Sequence, residues 1–426
     1  MNIIGTNIIS ALGFTTEENF NAVKQGISGV KHYDVGTFDL PEAFMASLID
    51  KEKLNEKFEN LLGFKNLTGL TDLEKASILS VFTANKEAQI DLSSKKTIFI
   101  LSTTKGNVDL ITNYELRNEV RRKPITIENN QSEIVNRKSK IFLWHSAKII
   151  SDFFKNPNTP IVVSNACISG AAAQIAAKRE LESGKYDNAV VVGVDFLSKF
   201  IISGFQSFKA LSPELCRPFD KDRCGLNLGE AAATLIIENE KLRIKNDNNN
   251  KIELLAGAIR NDATHISAPS RTGEGSYRAL KNVIRHCGLD PQSPEKQGIP
   301  AFAGMTVNEI AFINAHGTAT PYNDAMEVQA ITRAGLENVP VNSLKSVFGH
   351  TLGAAGVLES IISIKALENG IVLPTLNFQN KDIENQLIIP QKILKTDKKY
   401  FIKMMSGFGG VNAALLFGYE FFPQSE

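Results

Sequence analysis

The chain is 426 residues long, roughly two to three times an ordinary domain, which implies two domains or one large duplicated fold. Hydrophobic residues at 43% and charged residues at 22% exclude a disordered, collagen-like or disulfide-scaffold chain. With 47 Lys and Arg against 46 Asp and Glu the net charge is +1, so no overall field draws the molecule to nucleic acid or to an anionic membrane.

From the start, Met1–Phe14 has no basic stretch ahead of a long apolar core, so no secretory leader is expected. Lys96–Ser102, Pro160–Ser164, Asn188–Val194 and Ala232–Glu238 are dense in Val and Ile and read as strands, as do Glu309–Ala315, Val339–Val341 and Phe401–Ser406. Between them Ala171–Ser183, Tyr277–His286 and Ala354–Asn369 carry apolar residues at helical spacing. The alternation predicts α/β layers with apolar strands covered on both faces. Apolar runs such as Ala189–Val194 fall far short of the ~18 residues of a membrane span. The Asn-rich stretch Lys241–Asn250 marks a turn, and we expect an N-terminal half over 1–250 and a C-terminal half over 251–426. Asp290–Met305, with three prolines within ten residues, reads as an exposed loop.

Four cysteines, Cys167, Cys216, Cys224 and Cys287, are too few and too scattered for a disulfide framework, and no CxxC or HxxxH spacing suggests zinc. A reducing cytoplasm and no bound metal are the expectations. One internal echo stands out. Pro160–Ala177 runs strand, short polar loop, Cys, Gly and Ala-rich helix; Pro340–Ile364 runs strand, short polar loop, His, Gly and Ala-rich helix. It suggests a duplicated fold that presents Cys167 and His350 at equivalent helix starts.

Cys167 follows a strand and opens a helix, where unpaired amides and the macrodipole lower a thiol pKa from about 8.5. His316 lies in a loop of small residues and hydroxyls, Ala315 to Thr320, and His350 stands next to Gly349. Neither setting offers a histidine much packing. Lys345 and Glu359 bracket His350 and could pair in the interior. Ser406 to Gly410 ends the last strand with three glycines, a loop that can bring backbone N–H groups near a reacting oxygen. No P-loop and no GxGxxG after a strand points to nucleotide. A thiolate, two neutral histidines and an amide-lined oxyanion site suit acyl transfer through a thioester; a cysteine hydrolase would need an orienting carboxylate or Asn that is not evident.

Taken in order, Cys167, the segment Asn314–Pro321, Lys345 with Gly349–Gly356, and Gly407–Gly410 resemble the β-ketoacyl-acyl-carrier-protein synthases of the thiolase superfamily, nearest the elongating type II enzymes. The resemblance extends from Ile4–Val30 through Arg217–Ala232 to Asn412. It implies a thiolase-like duplicated αβαβα layered sandwich and a decarboxylative condensation, with Cys167 taking the acyl chain and His316 and His350 binding the malonyl thioester oxygen. It further implies an oxyanion hole from the N–H groups of Cys167 and Phe408, gating by Phe408 and Phe205, and Lys345 paired with Glu359. Thr318 and Thr320 would contact the phosphopantetheine arm. No cofactor beyond that arm is implied. The implied partners are an acyl carrier protein and a second copy of the chain, or a synthase-like partner in a heterodimer. Lys209, Arg121 and Arg122 are the expected basic contacts for the acidic carrier.

Three departures accompany the resemblance. Residues 290–305 look like an insertion, Cys224-Gly225-Leu226 stands where Asp-Gly-Phe is usual, and Ala231 follows Glu230 where Gly is usual. A thiolase would carry a second Cys in the C-terminal glycine loop, and an initiating synthase an Asn at position 350. A non-catalytic chain-length-factor-like subunit is the alternative, although such subunits usually lack the cysteine present here.

Overall fold

The computed structural model describes residues 1–62, 69–112, 140–239, 251–286, 307–381 and 386–419. The expected turn near 241–250 and the loop 290–305 lie outside the described residues, as do Arg121, Arg122 and Cys287.

In chain order the strands of the first half are β1 (Asn2–Ile9), β2 (Lys31–Tyr33), β3 (Phe44–Ser47), β4 (Thr97–Ser102), β5 (Ile161–Val163), β6 (Asn188–Asp195), β7 (Leu228–Gly229) and β8 (Ala231–Glu238). Those of the second are β9 (Ile252–Asn261), β10 (Ile310–Asn314), β11 (Val341–Asn342), β12 (Ile371–Val372), β13 (Leu394–Lys395), β14 (Tyr400–Gly407) and β15 (Val411–Tyr419). Ten of them join in the order β11-β10-β14-β15-β9-β1-β8-β6-β4-β5. The two ends of this series repeat one pattern. On one side β5, β4 and β6 run parallel, then β8 and β1 antiparallel. On the other, β11, β10 and β14 run parallel, then β15 and β9 antiparallel. The halves touch where Asn2 pairs with Glu253 and the Leu254 N–H donates to the Met1 carbonyl at 3.0 Å.

Helices complete the layers. Asp72–Ala88, started by a Thr71–Glu74 capping box, covers β1, β8 and β6 from outside, and Glu274–His286 covers β9 and β15. Between the two five-stranded ends of this series lie Ser169–Glu182 and Ala355–Glu368, each touching strands of both halves. In Ala355–Glu368 every residue except Lys365 and Glu368 is buried, as a helix enclosed on all sides requires. The result is the expected αβαβα sandwich, with separate apolar clusters in the central layer and under each outer layer. Element ends moved by a few residues at most: Glu309 ends a 3-10 turn, Val307–Glu309, instead of starting β10, and β11 begins at Val341 instead of Val339.

The central helices cross through glycine. A Cβ on Gly356 would lie 2.4 Å from the Ala171 nitrogen, and one on Gly170 would lie 2.9 Å from the Val357 nitrogen. Backbone against backbone, the crossing draws the N-terminal ends of both helices together.

Candidate active site

Cys167 sits between β5 and the helix Ser169–Glu182, after Ala166 in the left-handed region at φ 44°. The turn is stapled locally: the Asn165 N–H donates to the Ser169 hydroxyl at 2.8 Å, and that hydroxyl donates to the Ala166 carbonyl at 2.6 Å. Cys167 is only 8% exposed, and burial pushes its thiol up to about 11, against the pull of Lys105 and Lys345. This corrects the expectation of a thiol lowered by its helix start. A helix terminus contributes about 0.3–1 kcal/mol to a charge there, whereas desolvating a buried ion costs several kcal/mol. At rest the group is a thiol.

His316 and His350 converge on it. The rings stand edge to face with centroids 5.0 Å apart, and the Cys167 sulfur and one nitrogen of each imidazole lie within 4.8 Å of one another. Burial, reinforced by Lys345 and Lys403, holds both imidazoles well below the usual histidine range, so both are neutral. Nδ1 of His350 accepts from the Leu352 N–H at 3.3 Å, which places the ring proton on Nε2 as a donor. That Nε2 and Nδ1 of His316 are buried without a protein partner. His316 is held through its backbone: the His316 and Gly317 N–H groups donate to the two carboxylate oxygens of Glu327, each at 2.7 Å.

Lys345 lies behind this group and not in the cleft, fully buried and paired with Glu359. The other Glu359 oxygen meets Lys403 at 2.5 Å. Lys345 rides on a short helix, Lys345–Phe348, and a 3-10 turn, Leu352–Ala354, intervenes before the long helix begins at Ala355. His350 is therefore not at a helix start equivalent to that of Cys167, as the sequence echo suggested. The inserted turn sinks the lysine into the core.

A cleft of about 420 Å³ leads in from the surface, lined by Cys167, His316, His350, Thr318, Thr320, Lys209, Phe205 and Phe408, among others. The Thr318 and Thr320 hydroxyls are 2.9 Å apart. Phe408 stacks on Phe205 at 5.9 Å and meets Phe208 edge-on at 5.3 Å, closing one side of the mouth. The Phe408 N–H faces the Cys167 sulfur, and a Cβ on Gly407 would come within 3.0 Å of the Cys167 nitrogen. Lys209 is exposed at the rim. Cys224 also lines the cleft, its sulfur 3.3 Å from the Ser212 hydroxyl.

Sequence reasoning missed Glu327, Lys403, Phe208 and Asp195. Asp195 accepts from the Thr103 hydroxyl and from the Gly353 N–H, both at 2.7 Å, tying the loop after β4 to the loop after His350. The signal for Lys403 was a single lysine inside an otherwise apolar strand.

Comparison with known proteins places these features in a family. The model for "Beta-ketoacyl synthase, N-terminal domain" matches residues 2–242, and that for "Beta-ketoacyl synthase, C-terminal domain" matches residues 297–379. The 3-oxoacyl-[acyl-carrier-protein] synthase 2 of Mycobacterium leprae (strain TN) is 27% identical over 98% of this chain and 96% of its own. The protein of the same name from Rhizobium meliloti (strain 1021) is 34% identical over 62% of this chain and 61% of its own. Among solved structures, the ishigamide ketosynthase/chain length factor superposes with a TM-score of 0.82 at 25% identity, covering 99% of each chain. A β-ketoacyl synthase from Burkholderia phymatum STM815 superposes at 0.79 and 25% identity, again over 99% of each.

Proposed function

The chain belongs to the β-ketoacyl synthase family, and we propose that its cleft carries out the condensation with Cys167 as nucleophile and His316 and His350 handling the malonyl unit. It is an acyltransferase that joins an acyl thioester to a malonyl unit on acyl carrier protein, releasing CO₂ and 3-ketoacyl-acyl-carrier protein. The observation that carries the residue assignment is the convergence of one thiol and two neutral imidazoles within 4.8 Å at the floor of a cleft.

The geometry divides the steps. The Cys167 sulfur attacks the acyl thioester carbonyl, and its proton ends on the departing carrier thiol, so both imidazoles stay neutral through acylation. The Phe408 and Cys167 N–H groups stabilise the oxygen that becomes negative. The malonyl thioester then enters. As its C–C bond to the carboxylate breaks, CO₂ leaves and the electron pair forms an enolate, whose oxygen accepts from Nε2–H of His350 and from His316. The enolate carbon attacks the acyl-Cys167 carbonyl, and collapse expels the sulfur as a thiolate, which takes one proton from solvent, favoured because burial has raised its thiol pKa. Neutral imidazoles suit this work: an imidazolium would have to be desolvated beside Lys345 and Lys403.

Substrates arrive on their own phosphopantetheine arm, placed along Thr318 and Thr320, and this reading needs no further cofactor. Lys209 at the rim, with Arg121 and Arg122, supplies the basic contacts for an acidic carrier. We assign a cytoplasmic location and a homodimer, or a heterodimer with a synthase-like chain; no helix among the described residues is long and apolar enough to cross a membrane. We put the boundary between the halves at 250/251, as expected from the sequence. A non-catalytic partner role is disfavoured by the assembled Cys167, His316 and His350. The test is to supply acyl- and ¹³C-malonyl-carrier protein and look for 3-ketoacyl-carrier product with stoichiometric CO₂. Release of free acid alone would mean a hydrolase.

A further inference from the structure

We propose that Lys403 is a positioning residue of the condensation step: it ties the backbone just before His316 to Glu359 and so fixes where the imidazole meets the malonyl thioester. The inference rests on the synthase reading above.

Lys403 lies on β14, between β10 and β15 in the interior of the sheet, at 0% exposure. A lysine there is costly, because an unpaired ammonium in the interior loses several kcal/mol of hydration. The site repays it with acceptors matching its three N–H donors: Glu359 at 2.5 Å, the Ala315 carbonyl at 3.1 Å and the Asn314 carbonyl at 3.4 Å. Asn314 is its register partner on β10, and Ala315 is the residue before His316. Glu327 grips the N–H groups of His316 and Gly317 on the other side. The peptide that carries His316 is thus held between a cation bonded to its carbonyl flank and a carboxylate bonded to its amide flank.

Two lysines share one carboxylate here. Lys345 alone would neutralise Glu359. Lys403 adds a second positive charge that Glu327 feels at longer range: burial and Asp324 push that acid up to about 7, while the Gly317 and His316 amides and then Lys403 pull it down. Glu359, Lys345, Glu327, Asp324, His316 and His350 are the titratable groups around it. Loss of the Lys403 charge weakens the bonds to Asn314 and Ala315 and leaves Glu327 easier to protonate, loosening His316 from both flanks. Burial and Lys345 bring Lys403 itself down to about 8, against the pull of Glu359. The cation is therefore complete below that pH and disappears as pH rises through it.

The experiment uses the full-length enzyme and Lys403→Met, which keeps the length and removes the charge. Cys167 is first acylated and the acylated fraction is read by intact mass. Malonyl-carrier protein is then added, and ketoacyl product per acylated site is timed from about pH 6 to about 9.5. For Lys403→Met the condensation rate near pH 7 is expected to fall about tenfold or more while acylation changes less than about twofold, since only His316 is displaced. The wild-type rate should fall severalfold as pH rises through about 8, and the variant should lack that limb. Wild-type condensation by the variant, or an alkaline limb that survives in it, overturns the assignment. If Lys403→Met yields no acylatable enzyme, Lys403→Gln, which removes the charge but keeps an N–H donor, is read in the same assay: condensation lost with acylation kept supports the role, and wild-type condensation removes it. A wild-type enzyme that acylates but never condenses defeats the synthase reading first, which is a distinguishable failure.

Discussion

The two halves share one strand order and one central helix each, yet they bury different chemistry. In the N-terminal half the buried carboxylates are satisfied by neutral donors. Glu230 accepts from the Ile49 and Leu197 N–H groups at 3.0 and 2.9 Å; Glu74 from the Ser146 hydroxyl and Asn107 amide; Asp195 from two threonines and Gly353. In the C-terminal half Glu359 instead holds two ammonium groups. The loops differ in the same way. Cys167 is reached directly from β5, whereas between β11 and its helix an extra turn carries Lys345 inward. A common scaffold has been given a nucleophile on one side and, on the other, two imidazoles that burial keeps neutral, with the cations adding to the effect.

The comparison can be broken first at the crossing where the halves depend on each other. Gly356→Val would place carbon 2.4 Å from the Ala171 backbone and should cost on the order of 4 kcal/mol or more, read as a lowered urea midpoint. Gly204→Ala, with nothing within 4 Å of its added carbon, should lie within about 1 kcal/mol of wild type. Equal midpoints for the two variants would mean the central helices have room to part.

A smaller effect would sharpen the contrast in buried acids. Burial pushes Glu230 up to about 7, only partly opposed by its two amide donors and Lys51. An acid whose folded pKa is raised binds more protons folded than unfolded. Its stabilisation is complete below about 4.5 and is lost as pH rises toward 7. Glu230→Gln should remove that part of the pH dependence, on the order of 3 kcal/mol between these limits, measured by urea unfolding at a series of pH values. An unchanged slope would show that Glu230 is not the group responsible.

Much of the architecture was legible because it is local. Val- and Ile-rich runs gave β4, β6 and β8, and small residues around Cys167 and His350 marked places where something other than packing was at work. The cluster of Cys167, His316 and His350 could be proposed from motif order, but what surrounds it could not. The thiol pKa turns on burial by residues distant in sequence, which outweighs the helix start that sequence does show. Lys403 and Glu327 were hidden for a related reason. A lone lysine in a strand or a glutamate on a helix reads as solvent-facing until the fold supplies its partners, 44 residues away for Lys403 and 11 for Glu327. The echo between the halves gave the repeat but not the turn inserted after β11.

The most direct test of the whole account is where the acyl group rests. Incubation with an acyl-carrier protein followed by intact and peptide mass spectrometry should find one acyl group, on the peptide containing Cys167. Malonyl-carrier protein should discharge it as 3-ketoacyl product, and Cys167→Ala should neither load nor condense. An acyl group on Cys224 instead, or condensation by Cys167→Ala at the wild-type rate, would contradict it.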